Sequence, residues 1–346
     1  MSRDWIIKDE MRRTSASQIR NAYEDGFVGS YSDPEEQEKL RSEVEWPNAV
    51  DAADAFGWAG SGAGKLNLLF PLIEDLWPGT LPGPAQQRGD CVAHSTVNAA
   101  TASIAAEIVT GKPDEVTGII EGPPEISETG RRNGSFSVCP LYWHRRHGGD
   151  GWSCSAAARV LTREQGLWVC KDYPDLGIDL TRYSGSLSGR YGRNLPPQNI
   201  RDAGKEHLIR TATEPDSFEE IEDLISNGYG ISSCGGEGFS SRRNEDGVSN
   251  RRGGWSHAMA YLATDSRDWV RKKYKNEPGL VLVQNSWGKS WISGPRQIYG
   301  TQIDIPHGSF WARWSDIRRR YTVAFSGVNG WPARELPDWG SDFWRG

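Results

Sequence analysis

GPAQQRGDCVAHSTVNAATASIAAEIVTG, residues 83–111, carries a cysteine from a polar, Gly-containing loop straight into an Ala-rich run. Val92, Ser95 and Ala99 recur at helical spacing, as do Val97, Ala100, Ile104 and Ile108. Gly111 supplies a stop, so the pattern predicts a helix from Cys91 to about Thr110. Cys91 then stands at the helix N-terminus, where unpaired N–H groups and the macrodipole favour a thiolate. Two readings stay open on this stretch alone: a buried structural thiol, the commoner fate of a free cysteine, or a nucleophile.

Working outward, 346 residues are enough for one large domain with extensions or for two domains. Lys and Arg number 40 against 46 Asp and Glu, a net charge of −6, and basic residues gather only in short clusters such as Arg318-Arg319-Arg320. That balance argues against a nucleic-acid partner. The opening MSRDWIIKDEMRRTSASQIR breaks every apolar run with charge, unlike a secretory signal peptide or a membrane anchor. No later run reaches membrane-spanning length. The expected location is therefore the cytoplasm or a virion-like particle. Five cysteines, an odd number without paired spacing, suggest a reducing compartment and five free thiols. Sixteen Trp imply large aromatic contact areas.

Residues 1–60 are polar and weakly periodic, with a helix start at Asp33-Pro34-Glu35-Glu36. They are expected to act as a docking arm that orders only against another surface. GWAGSGAGK, residues 57–65, reads as a flexible joint. As a phosphate loop it is one residue short between glycines, and Leu66 follows Lys65 where Ser or Thr should hold magnesium. A second helix is expected from near Ser155 to Gln165, closed by Gly166, followed by a short strand at LWV. Ser217 with Glu220 forms a capping box for a third helix ending at Gly228. After it, YGISS, HAMAYLAT and LVLVQNSW are strand-like. Helices first and strands later indicate an α+β fold with a mostly antiparallel sheet or barrel. The division expected is an arm over 1–60, a catalytic domain over 61–325 and an aromatic tail over 326–346.

His257 opens the strand in GGWSHAMAYLAT, and Asn285 ends the strand in LVLVQNSWGKSW beside Trp287. A thiol nucleophile needs a base, and the base needs a third group to fix its tautomer, so Cys91, His257 and Asn285 form a sensible unit. In this order, with a Gln shortly before the helix Cys and Asn-Ser-Trp-Gly at the end, the chain resembles the papain-like cysteine peptidases. GGDGWSCSAAARVLTREQGLWVCKDYPD, residues 148–175, is similar to the family's paired glycines, Trp-Ser, helix and Tyr-Pro. The likeness runs from about Leu66 to Tyr321.

The resemblance implies a helical subdomain carrying the nucleophile and an antiparallel sheet or barrel subdomain. It implies Cys91 attacking a peptide carbonyl, His257 as acid and base, Asn285 orienting His257, and Gln86 with the Cys91 N–H stabilising the oxyanion. Gly148 and Gly149 would offer backbone groups to an extended polypeptide substrate, and Trp287 would shield the His257–Asn285 bond. No metal or organic cofactor is implied. Cys139, His144 and His147 lack a convincing fourth zinc ligand.

Several positions depart from the family pattern. Gln86 precedes Cys91 by five positions, one fewer than usual, which makes Gln87 a rival. Asp90 replaces a small residue, where it would cap the helix while opposing thiolate formation. Val92 and His94 replace aromatics, and TDSRDWVRKKYKNEPG, residues 264–279, adds a charged loop. Asp150-Gly151 replaces an aromatic-Pro pair, from which a wider, more acidic pocket that disfavours acidic side chains is expected. Two other functions fit the same residues: an assembly protein that keeps the fold for its surfaces, docking through the arm and the tail, and a hydrolase of non-peptide amides.

Overall fold

The computed structural model describes residue 53 and residues 57–110, 135–205, 209–328, 330–337 and 339. The helix start at Asp33, the stop at Gly111 and the end of the aromatic tail lie outside the described residues. The Ala-rich run forms helix α1 (Cys91–Thr110). Its spacing suggests an outer face, yet almost every residue from Cys91 to Ile108 is buried, as in a helix enclosed on all sides. Small side chains make that possible. Gly230 packs so closely that a Cβ there would lie 2.1 Å from the Ala99 carbonyl oxygen. Ser103 accepts the Gly230 N–H (2.9 Å) and donates to the Phe325 carbonyl (2.7 Å), while Ser95 and Ser232 share a hydroxyl hydrogen bond of 2.7 Å.

The helix lies against a seven-stranded sheet. The strands are β1 (Leu66–Leu68), β2 (Ala212–Thr213), β3 (Ile231–Arg243), β4 (Ser249–Asp265), β5 (Leu280–Gln284), β6 (Ser309–Arg313) and β7 (Tyr321–Phe325). Their order is β6-β5-β4-β3-β7-β2, every pair is antiparallel, and β1 takes the edge of β4 beyond the start of β3. Gly235 on β3 lies opposite His257 on β4, and Cys234 lies opposite Ala258. Strand β4 runs well before the expected HAMAYLAT, because β3 and β4 continue as a ribbon through glycines that obscure the alternation. The ribbon accommodates them with register shifts. Asn244 closes its turn by accepting the Asp246 and Val248 N–H groups (3.0 and 2.8 Å).

Helix α2 (Cys154–Arg159) is capped by Ser153, which accepts the Ala156 N–H, and continues as a wider turn over Val160–Glu164. Helix α3 (Phe218–Ser226) has the expected cap, Ser217 Oγ accepting from Glu220, and the Glu220 carboxylate reaches back to the Asp216 N–H.

Two expectations need correction. Cys154 and Cys234 form a disulfide with a Cα–Cα distance of 6.1 Å, leaving Cys91, Cys139 and Cys170 as thiols. An 80-residue separation gives no spacing signal, since the pairing is created by α2 packing beside β3. The glycine joint, expected to flex, is seated. Gly60 and Gly62 donate to the Asp223 carboxylate (2.6 and 3.0 Å), and Gly64 donates to Ser266 (2.8 Å).

The described part of the tail folds back on the body beside the C-terminal part of α1. Val328 donates its N–H to the Glu107 carboxylate (2.8 Å), and Trp331 packs edge-on against Tyr229 with ring centroids 4.6 Å apart.

Candidate active site

Cys91 is the first residue of α1, and the loop before it is fixed by hydrogen bonds. The Gln86 N–H donates to the Ser286 carbonyl (2.8 Å), and the Gln86 side-chain amide donates to the Arg88 carbonyl (2.8 Å). Gly89 accepts from the Gly151 N–H (2.9 Å) and the Tyr142 hydroxyl (3.1 Å). The Cys91 sulfur meets the backbone N–H groups of Val92 and of Ala258, the residue after His257. Burial pushes the Cys91 thiol up to about 12; the Asp90 charge adds to this, while the two N–H groups and Arg320 oppose it.

His257 Nε2 lies 2.8 Å from Asn285 Oδ1, which also accepts the Ser286 N–H at 2.7 Å. An oxygen already receiving a backbone N–H must face the ring as an acceptor, so Nε2 carries the proton and Nδ1 is the basic nitrogen. Trp287 stacks on the imidazole, with ring centroids 4.8 Å apart and planes inclined by 30°. Burial lowers His257 to about 3, the Asn285 bond opposes the shift, and Arg320 and His94 add to it. Cys91, His257 and Asn285 are each 0% exposed.

Gln86 is buried and its side-chain oxygen accepts the Ser286 hydroxyl, joining the loop before Cys91 to the residue after Asn285. One of its amide hydrogens is used on Arg88. The rival Gln87 is exposed and turned toward Gly185, whose N–H it accepts at 2.9 Å. Asp90 starts the helix through its carbonyl, which accepts the His94 N–H (3.1 Å). Its carboxylate, expected to cap the helix, accepts instead from the Tyr183 and Ser188 hydroxyls (2.8 and 2.6 Å), with His94 Nε2 3.6 Å away.

Gly148 and Gly149 are exposed, and the Gly149 carbonyl is taken by Arg145 Nε at 3.0 Å. Asp150 does not supply an acidic pocket. Its carboxylate is ion-paired with Arg88 (Nε to Oδ1 2.7 Å), and the Tyr142 hydroxyl lies 3.4 Å from it. Cys139 and His144 go separate ways, toward the Ser184 carbonyl (4.0 Å) and Glu164 (3.8 Å).

Arg320 is a residue the sequence reading passed over as one member of a charged triplet. It is buried beneath the site, with Nη2 donating to the His257 carbonyl at 2.5 Å and Nη1 facing Glu237 at 3.4 Å. Nothing in RRR distinguishes the buried member. Only its place immediately before β7 turns it inward.

No family model and no curated protein matches the sequence. Solved structures do. Xylellain, a cysteine protease from Xylella fastidiosa, matches at a TM-score of 0.41 and 15% identity, over 70% of this chain and 81% of that one. The ragweed pollen allergen and cysteine protease Amb a 11, in its proform, matches at 0.47 and 12%, over 93% and 80%. The cysteine protease and lectin-like domains of Cwp84, a surface layer associated protein of Clostridium difficile, match at 0.42 and 16%. That match covers 82% of this chain but only 60% of the Cwp84 chain. The enclosed helix α1 begins with Cys91, while His257 lies on β4 and Asn285 follows directly on β5.

Proposed function

We propose that the chain is a cysteine peptidase using Cys91 as nucleophile, His257 as base and acid, and Asn285 to orient His257. The observation that carries this reading is the Asn285 oxygen shared between the Ser286 N–H and His257 Nε2, beside a thiol seated on the Ala258 N–H. In the proposed reaction, Nδ1 takes the Cys91 proton and the sulfur adds to a peptide carbonyl carbon. The tetrahedral oxyanion is held by the Cys91 N–H and the Gln86 amide. The C–N bond then breaks as His257 returns the proton to the departing amine, and water hydrolyses the thioester. Because Cys91 and His257 are both fully buried, substrate must displace what covers them before the proton moves.

The test is labelling of folded protein with a vinyl-sulfone or epoxide electrophile, alongside peptide hydrolysis. Stoichiometric modification confined to Cys91 is expected, and it should be lost in His257→Ala. Hydrolysis should fall to background in Cys91→Ala and only by about 10- to 100-fold in Asn285→Ala. A Cys91 that stays unmodified in folded protein would overturn the proposal in favour of an assembly role. Labelling with turnover of small amides but of no peptide would move it to non-peptide hydrolysis.

A further inference from the structure

The rim next to the nucleophile carries an excess of positive charge. Gly89, two residues before Cys91, is in direct contact with Asp150 and Gly151, so the exposed pair Gly148-Gly149 lies a few residues from the thiol. Two guanidinium groups flank that pair. Arg145 is buried, stacks over Tyr142 at 4.4 Å, and holds the Gly149 carbonyl. It also closes against Gly192, where a Cβ would come within 2.5 Å of its Nη2. Arg193 is exposed, and its Nη2 lies 3.2 Å from where a Gly148 Cβ would sit.

The nearby acids are already engaged: Asp150 with Arg88, and Glu164 with Arg146 at 2.7 Å. Among the described residues neither Arg145 nor Arg193 forms an ion pair. A chain laid along Gly148-Gly149 therefore meets two guanidiniums: Arg145, buried, bonded to the Gly149 and Tyr142 carbonyls and acted on by the Asp150 and Asp90 charges, and Arg193, solvent-facing and outside any ion pair among the described residues. Arg193 is free to close on a carboxylate with its planar fork of donors.

We infer that this rim selects substrates with an acidic side chain on the residue lying along Gly148-Gly149, and that Arg193 is the specificity-determining residue. The inference rests on the peptidase reading and names its substrate class, reversing the preference expected from Asp150 in the sequence.

The experiment uses peptides with Glu or Gln placed in turn at each position flanking a cleavable bond, and compares kcat/KM for wild type, Arg193→Gln and Arg193→Glu. One position should favour Glu over Gln by about 5-fold, the size of an exposed or half-exposed charge pair, and the ratio should shrink as salt rises. The ratio should fall to about one in Arg193→Gln and below one in Arg193→Glu. Equal rates for Glu and Gln at every position, or a Glu preference that survives Arg193→Glu, would overturn the inference while leaving a working peptidase. Failure to cleave any peptide would sink both readings.

Discussion

Asp90 sets a fully buried carboxylate next to Cys91, anchored by Tyr183 and Ser188. Its charge is one of the causes that raise the Cys91 thiol, after burial itself. Asp90→Asn keeps an acceptor for both hydroxyls and removes the charge. Thiolate formation, followed through the pH dependence of alkylation at Cys91, should therefore move to lower pH, by about one unit. An unchanged profile would mean that burial alone sets the thiol. Cys91, His257 and Asn285 were legible as candidates because Cys91 starts a helix, Asn285 follows a strand and the three motifs fall in a recognisable order, although His257 lies inside β4 and not at its start. The environment was not. Whether Asp90 caps the helix or holds the 183–188 turn depends on which loop packs beside it, and so does the pairing of Asp150 with Arg88.

Among the elements, the contact between α1 and the chain entering β3 is the tightest constraint on the site, since Gly230 leaves no space for a Cβ against Ala99. Gly230→Ala is expected to cost about 3 kcal/mol as overpacking, measured by urea denaturation, and a change below a few tenths would show that the helix can shift. The disulfide acts between elements as well. It ties the start of α2 to β3, one residue before the position opposite His257. Denatured, unreduced protein should show three free thiols. Loop-closure arguments for the 80-residue separation give about 4 kcal/mol of stability lost in a Cys154→Ala, Cys234→Ala double variant. Five titratable thiols would restore the sequence expectation. Capping chemistry made α3 legible in advance, as helical periodicity did α1. The outer half of the β3–β4 ribbon was hidden because its glycines carry no alternating side chains.

For the whole molecule, the α+β character could be read directly, because turn residues and apolar periodicity are local signals, whereas β1, which precedes α1 and joins the sheet beside the far end of β4, carries too few residues to show in the pattern. The wrapping of the glycine joint and tail onto the body could not, because their anchors, Asp223 and Glu107, lie far away in sequence. Global stability should depend on pH through the buried site. His257 falls from its ordinary 6.5 to about 3 on burial, so it contributes stability that is fully present above pH 6.5 and is lost as pH falls toward 3. Denaturation midpoints at pH 7 and pH 4 should differ less in His257→Gln than in wild type. The Cys154–Cys234 bond has one more consequence, for the fate of a broken chain. Residues 155–233 form a closed covalent ring around exposed arginines at Arg190 and Arg193. A trypsin cut at either one would sever the backbone without releasing a fragment. Such nicked protein should run as one species on a non-reducing gel and as two once the bridge is reduced, so backbone damage there need not separate Cys91 from His257.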